Sequence, residues 1–243
     1  MQINIQPIEK LARSDGLRLD VHSIFATIQG EGPFTGHPCV FVRLAGCNLQ
    51  CPGCDTDYTE DRRMMQIYEI AESVASVLKA SGSTRAKVPL VVITGGEPFR
   101  QNITPLCKEL HGRGHTIQIE TNGTMDPGGA FLSFQDTFAD EVTVVCSPKA
   151  SRIHIGARQA ADCYKYVMHH GSVDPDDGLP LLALGNPAVP RLARPGTDTP
   201  IYLQPMDSGD EKENQLSLAA CISSCRKYGY ILQLQTHKLI GLP

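Results

Sequence analysis

Three cysteines fall within eight residues in the segment Gly46-Cys47-Asn48-Leu49-Gln50-Cys51-Pro52-Gly53-Cys54-Asp55-Thr56. Thiolates packed this closely are metal ligands, and the ligand count narrows which metal. No fourth cysteine or histidine stands at ligand spacing; His37 lies ten residues upstream of Cys47. Structural zinc takes four closed ligands, normally from paired Cys-x-x-Cys arms. A 4Fe–4S cluster on three cysteines leaves one iron open. Two readings therefore stand on this loop alone. One is a cluster whose open iron is chelated by the amino and carboxylate groups of a bound molecule. The other is a zinc knuckle completed by a distant ligand.

A second segment, Thr94-Gly95-Gly96-Glu97-Pro98, lies about forty residues further on. Two glycines let the backbone approach a ligand closely. Exposed carbonyls and the Glu97 carboxylate are acceptors for an ammonium group. An ordinary tight turn also explains Gly-Gly, but the position at the end of an apolar run favours a ligand site. The other cysteines, at 39, 107, 146, 163, 221 and 225, are read as small buried hydrophobes. An odd count of nine, with three clustered, is a poor disulfide framework and suits a reducing compartment.

The elements that position these segments alternate between strand and helix. Short apolar runs at Val40–Leu44, Leu90–Thr94, Thr116–Glu120, Val142–Cys146, Cys163–Met168 and Ile201–Gln204 have the character of buried parallel strands. Leu19–Thr27 and Tyr230–Gln235 are expected as edge strands. Three stripes have helical spacing: Ile67, Ile70, Val74, Val77 and Leu78; Ile103, Leu106, Cys107 and Leu110; and Leu218, Cys221, Ile222 and Cys225. Gly112 or Gly114 can end the second, and Gly229 the third. Six core strands with three helices are too few helices for a full (β/α)8 barrel. The expected fold is α/β, a partial, open (β/α)6-type barrel with reduced helix content. It forms one domain over residues 1–243, with an N-terminal extension at 1–19. Gly171–Pro200, with six prolines and four glycines, is expected as a long loop.

A 243-residue chain with 41% hydrophobic residues supports a full core. Its formal net charge of −4 gives no basic face, so no nucleic-acid partner is expected. No signal-peptide core and no apolar run of roughly 18 residues occurs, so the expectation is a cytoplasmic protein without a membrane partner.

The C-x3-C-x2-C spacing resembles the signature of the radical S-adenosylmethionine (SAM) superfamily, and Gly95-Gly96-Glu97-Pro98 is similar to its SAM-amino motif. Further segments narrow the resemblance. Thr27-Ile28-Gln29-Gly30-Glu31-Gly32 precedes the thiol loop, and Phe41-Val42-Arg43-Leu44 leads into it. Glu120-Thr121-Asn122-Gly123-Thr124, Ser147-Pro148-Lys149 and Gln204-Pro205-Met206-Asp207 end later strands. Gln235-Thr236-His237-Lys238 and Gly241-Leu242-Pro243 close the chain. This ordered set, from about residue 20 onward, resembles the 7-carboxy-7-deazaguanine synthase family. Residues Met1–Leu19 and the Gly171–Pro200 loop carry none of it.

The resemblance implies conversion of 6-carboxy-5,6,7,8-tetrahydropterin to 7-carboxy-7-deazaguanine with loss of ammonia, on the way to queuosine and related 7-deazapurines. It implies a 4Fe–4S cluster on Cys47, Cys51 and Cys54 and SAM as a recycled cofactor that carries the radical, so no side chain is assigned as catalytic. It implies Mg²⁺ on the Thr56 hydroxyl, with Asp55 as a rival ligand and a helix N-cap as the alternative role of Thr56. SAM contacts would come from Gly96, Glu97, Glu120, Ser147, Pro148, Lys149, Gln204, Pro205, Met206 and Asp207. Substrate contacts would come from Ile28, Gln29, Gly30, Glu31, Arg43, Thr94, His237 and Pro243, the last through its carboxylate. A flavodoxin-type electron donor and a homodimer are implied as well. Two alternatives remain open in the sequence: a small radical SAM activase that makes a glycyl radical on a partner protein, and a non-catalytic zinc-stabilised module.

Overall fold

The computed structural model describes residues 4–82, 90–184, 188–189, 191–196 and 198–242. Its strands are β1 (Arg18–Ile28), β2 (Pro38–Leu44), β3 (Arg63–Gln66), β4 (Leu90–Gly95), β5 (Ile117–Thr121), β6 (Val142–Cys146), β7 (Cys163–Met168), β8 (Ile201–Pro205) and β9 (Ile231–Leu232). Its helices are α1 (Ile67–Ala80), α2 (Thr104–Gly112), α3 (Gly129–Thr137), α4 (Ile155–Ala160), α5 (Glu211–Tyr228) and α6 (Thr236–Leu239). Among the described residues, all nine strands form one sheet in the order β3-β1-β2-β4-β5-β6-β7-β8-β9. From β2 to β9 every neighbouring pair is parallel, whereas β1 runs antiparallel to both β2 and β3. The edges, β3 and β9, do not pair with each other, so the barrel is partial and open, as expected.

Period-two alternation decides what each strand offers to each face. Val40, Val42 and Leu44 of β2, Val91 and Ile93 of β4, and Ile117 and Ile119 of β5 enter one core cluster. That cluster includes Ile70, Ala71 and Val74 of α1 and Leu106, Cys107 and Leu110 of α2. Tyr164, Tyr166 and Met168 of β7 join Leu203 and Cys221 in a second cluster. The intervening residues, Phe41 and Arg43, Thr94, Glu120, Lys165 and Gln204, line the opposite, concave face.

Local chemistry sets the helix ends. Gln66 and Glu69 form a reciprocal capping box at the start of α1. Asp210 caps α5, accepting the Glu213 N–H at 3.1 Å, and α5 ends at Gly229. Three expectations change. Leu19–Thr27 is not an edge, because β3 pairs outside it. Tyr230–Gln235 contracts to the two residues of β9. The helices α3, α4 and α6 add to the three read from periodicity. Apart from the end of a single 3-10 turn at His170–Ser172, the described part of Gly171–Pro200 contains no helix and no strand longer than one bridge, as expected of a loop. It is nonetheless pinned: Arg194 pairs with Asp174 at 3.0 Å and with Asp177 at 2.7 Å.

Candidate active site

The parallel strands end on one rim, and their C-terminal loops enclose a cavity of about 610 Å³, within the roughly 300–1,000 Å³ typical of small-molecule sites. The thiol loop leaves β2, Gly95-Gly96 ends β4, Asn122 follows β5, Ser147 and Lys149 follow β6, and Met206-Asp207 follows β8. All of them line this cavity. A Cβ at Gly96 would run into the Gly46 carbonyl and the Cys47 side chain, so only glycine lets these two loops meet.

Cys47, Cys51 and Cys54 share the cavity wall. Burial raises the Cys47 thiol to about 12 and raises Cys51 and Cys54 as well, so iron must displace their protons on binding. Among the described residues only His169, His170 and Glu213 bring three ligand atoms within 4.8 Å of one another. Three thiolates on one wall of an open cavity are a donor set that fits a cluster with one open iron.

Phe25 and Phe41, opposite each other on β1 and β2, stack with centroids 5.4 Å apart and planes 17° from parallel. The Arg43 guanidinium carbon lies 5.4 Å from the Phe25 centroid. Together they make a flat ledge on the cavity wall. Arg43 Nε, Ser147 Oγ and Gln204 Oε1 are buried with no hydrogen-bond partner. Unmet buried polar atoms are costly, and those lining a cavity are places where a ligand completes the bonding. They fit a polar cofactor and an anionic substrate group. Asp55 and Thr56 also line the cavity, and the Thr56 hydroxyl donates to Asp55 Oδ1 at 3.3 Å. No helix starts there, which removes the N-cap role.

Two carboxylates organise the substrate side. Glu120 Oε1 accepts from Gln29 Nε2 at 3.1 Å and Gln118 Nε2 at 2.8 Å, and its Oε2 accepts from Thr94 Oγ1 at 3.4 Å. Glu31 pairs with Lys165 through Oε2 and accepts from Gln204 Nε2 at 3.1 Å and Gln235 Nε2 at 2.8 Å through Oε1. Burial opposes the Glu31 charge, but Lys165 outweighs it and holds the carboxylate at about 2. The turn after β1 is tied to the C-terminal segment: Gly32 N–H donates to Gln233 Oε1 at 2.7 Å, and Gly30 has no room for a Cβ against the His237 imidazole. Lys238 donates to Asp207 Oδ2 at 3.0 Å, the main reason Asp207 falls to about 2.

Of the residues read from the sequence, Ile28, Gln29, Gly30, Glu31, Arg43, Thr94, Gly96, Glu120, Ser147, Lys149, Gln204, Met206, Asp207 and His237 all line the cavity. Glu97, Pro148 and Pro205 do not. Glu97 is fully buried behind the Gly95-Gly96 turn, where it accepts from Phe99 N (3.0 Å), Thr121 Oγ1 (2.8 Å) and Asn122 N (2.7 Å). Burial raises it to about 7, and its bonds pin the turn after β4 to the end of β5. Pro243 lies outside the described residues, while Leu242 before it lines the cavity. Sequence reading missed Lys165, Phe25, Asn122 and Gln235. The signal for Lys165 was a lone charge at an alternate position of an apolar strand, which a half-polar barrel interior explains.

An open parallel barrel with a three-thiol loop at the rim after its first parallel strand defines the radical SAM class. Residues 42–144 match the family model of the Radical SAM superfamily. The chain is 39% identical to the 7-carboxy-7-deazaguanine synthase of Rhodospirillum rubrum, over 94% of each chain. It is 34% identical to that of Rickettsia prowazekii, covering 97% of this chain and 94% of the relative. The crystal structure of QueE from Escherichia coli superposes with a TM-score of 0.60 at 23% identity, covering 92% of this chain and 99% of that one, and so shares the fold. The chain belongs to the 7-carboxy-7-deazaguanine synthase family. It is a radical SAM enzyme, and the family implies a 4Fe–4S cluster and SAM. The activase and the zinc module are not favoured by this placement.

Proposed function

We propose that this enzyme converts 6-carboxy-5,6,7,8-tetrahydropterin to 7-carboxy-7-deazaguanine and ammonia, within 7-deazapurine (queuosine) biosynthesis. Full-length relatedness to proteins of that name supports it. The observation that carries it in the site is the Phe25–Phe41–Arg43 ledge, with a buried unpartnered Arg43 Nε, on the wall shared with the three thiols.

Cys47, Cys51 and Cys54 would hold the cluster, which with SAM supplies a hydrogen-abstracting radical. The protein's own residues do the positioning. The aromatic ledge takes the flat pterin face, and Arg43 completes its fork on the substrate carboxylate. Gln29, Thr94 and Glu120 present a connected acceptor–donor row to the amino-pyrimidinone edge, with Ile28, Gly30, Glu31 and His237 closing that side. Ser147, Lys149, Gln204, Met206 and Asp207, with the Gly96 backbone, surround the SAM side. Substrate and product differ by the elements of ammonia alone. The overall change is redox-neutral, and SAM can be regenerated each turnover.

Mg²⁺ would bind at Thr56 with Asp55 beside it, sharing oxygens with the substrate, as a hard cation with few protein ligands does. The assembly would be a homodimer fed by a one-electron donor such as flavodoxin in the cytoplasm. Ile231 and Leu232, about two-fifths exposed on the edge strand β9, support a pairing surface. No helix among the described residues is long and apolar enough to cross a membrane.

The substrate assignment is tested by binding. Titrating anaerobic, SAM-saturated enzyme with 6-carboxypterin and with pterin should show the carboxylated ring binding at least about tenfold tighter, the worth of one charge-assisted pair. Equal affinities would remove the carboxylate from the recognition scheme and the proposed substrate with it.

A further inference from the structure

We infer that residues 4–12 form a hydrogen-bonded brace that holds the thiol loop in the shape the cluster needs. The inference rests on the assignment of Cys47, Cys51 and Cys54 as cluster ligands.

The segment belongs to no helix or strand beyond a single parallel bridge between Ile8 and Cys47. Its polarity is the reverse of a packing segment. Ile5, Ile8 and Leu11 are 86%, 63% and 50% exposed, while Asn4, Gln6 and Glu9 are half-buried against the protein. Burial does not hold this segment; its hydrogen bonds do, and they go to the thiol loop. Asn4 donates from its backbone to Pro52 O and from Nδ2 to Cys51 O, both at 3.2 Å. Gln6 Nε2 donates to Thr56 O at 2.9 Å while its Oε1 accepts the Tyr58 N–H at 2.8 Å. The Gln6 carbonyl accepts from Gln50 Nε2 at 2.7 Å, and the Glu9 N–H donates to Cys47 O at 2.7 Å.

The brace has a fixed base. Ala12 N–H donates to Arg100 O at 2.8 Å, and Arg100 Nη2 donates to Ala45 O at 2.9 Å, just before the loop begins. Glu9 pairs with Arg100 at 3.3 Å. The segment thus spans from the root of the loop to its far end.

The physical reason is the small number of ligands. A cluster on three thiolates loses iron when one thiolate swings away, and an irregular loop has few bonds of its own to prevent that. Inside the loop the main-chain bond is Cys54 N–H to Cys51 O at 3.1 Å. The brace takes the carbonyls of Cys47, Cys51, Pro52 and Thr56 from outside, while the three thiols line the cavity. Asn4 and Gln6 are positioning residues that act through the ligands.

The test is the rate at which cluster-loaded, anaerobic enzyme gives up iron to a ferrous chelator. Gln6→Met keeps length and volume but neither of these hydrogen bonds to Thr56 and Tyr58, and Asn4→Ala removes the Cys51 contact together with the Oδ1 that accepts from Gln6 N and Nε2. Each should release iron at least about fivefold faster than wild type, the effect of one lost hydrogen bond. Gln6→Glu, which keeps the acceptor for Tyr58 but cannot donate to Thr56, should fall between wild type and Gln6→Met. Ile5→Ser and Ile8→Ser change the exposed face of the same segment and should leave the rate unchanged. Wild-type rates in both Gln6→Met and Asn4→Ala overturn the brace. So do isoleucine variants that lose iron as fast as those two. A wild-type enzyme that takes up no cluster overturns the ligand assignment itself, and the brace with it.

Discussion

The Lys165 ammonium closes on the Glu31 carboxylate inside the cavity, joining the middle of β7 to the turn after β1. Gln204 and Gln235 saturate the other carboxylate oxygen, so three separate elements meet on one side chain. Lys165→Met strands a buried carboxylate and should cost about 3–5 kcal/mol. Thermal or denaturant unfolding measures it; a loss below the usual surface-pair range would make the pair incidental.

The same pair sets an acid limit. Glu31 is held at about 2, below its ordinary value of 4.5. Its contribution is therefore complete above the unfolded value and is lost as pH falls from about 4.5 towards 2. Between pH 5 and pH 3 wild type should lose more stability than Glu31→Gln. Parallel pH profiles for the two proteins would show that Glu31 is not the titrating group.

Cys47→Ala, Cys51→Ala and Cys54→Ala should each abolish cluster retention and turnover, since each leaves an iron short of a ligand. Cys107→Ala and Cys221→Ala, both fully buried in the apolar core, should keep their iron at a packing cost of order 1 kcal/mol. Iron content and absorbance after anaerobic reconstitution decide the matter. Full iron in any loop variant would move the cluster elsewhere.

Arg43→Lys keeps the charge but loses the planar fork over Phe25. KM for the carboxylated pterin should rise roughly ten- to hundredfold, with the iron content unchanged. An unaltered KM would assign Arg43 to structure alone.

Chelator-treated enzyme should recover activity with added Mg²⁺, and Thr56→Ala should blunt that response. Activity assayed across a magnesium titration measures it. An unchanged dependence in Thr56→Ala would shift the metal to Asp55 or remove it.

The parallel strands and the rim segments were legible because buried parallel strands are short apolar runs and their ends carry glycine and polar punctuation. Edges were not. The β3 strand, Arg63-Met64-Met65-Gln66, has one buried residue and no apolar pattern, and β1 looks like an edge until β3 covers it. The α4 helix has six residues, too few for a periodic stripe, and α3 opens on Gly128-Gly129. Glu97 shows the limit for the site. Its motif does not show where its carboxylate points, because that direction follows from where donors stand in three dimensions, here Phe99, Thr121 and Asn122. Lys165 and the brace at Asn4 and Gln6 were hidden for the same reason, since their partners lie 134, 47 and 50 residues away along the chain.

One assay bears on the central claim most directly. Cluster-loaded enzyme is incubated anaerobically with 6-carboxy-5,6,7,8-tetrahydropterin, SAM, Mg²⁺ and a reductant, and 7-carboxy-7-deazaguanine, ammonia and 5′-deoxyadenosine are counted together. The account predicts product and ammonia in equal amounts, many turnovers for each SAM, and little 5′-deoxyadenosine. SAM cleavage by a fully loaded enzyme with no deazaguanine formed from this pterin would contradict it.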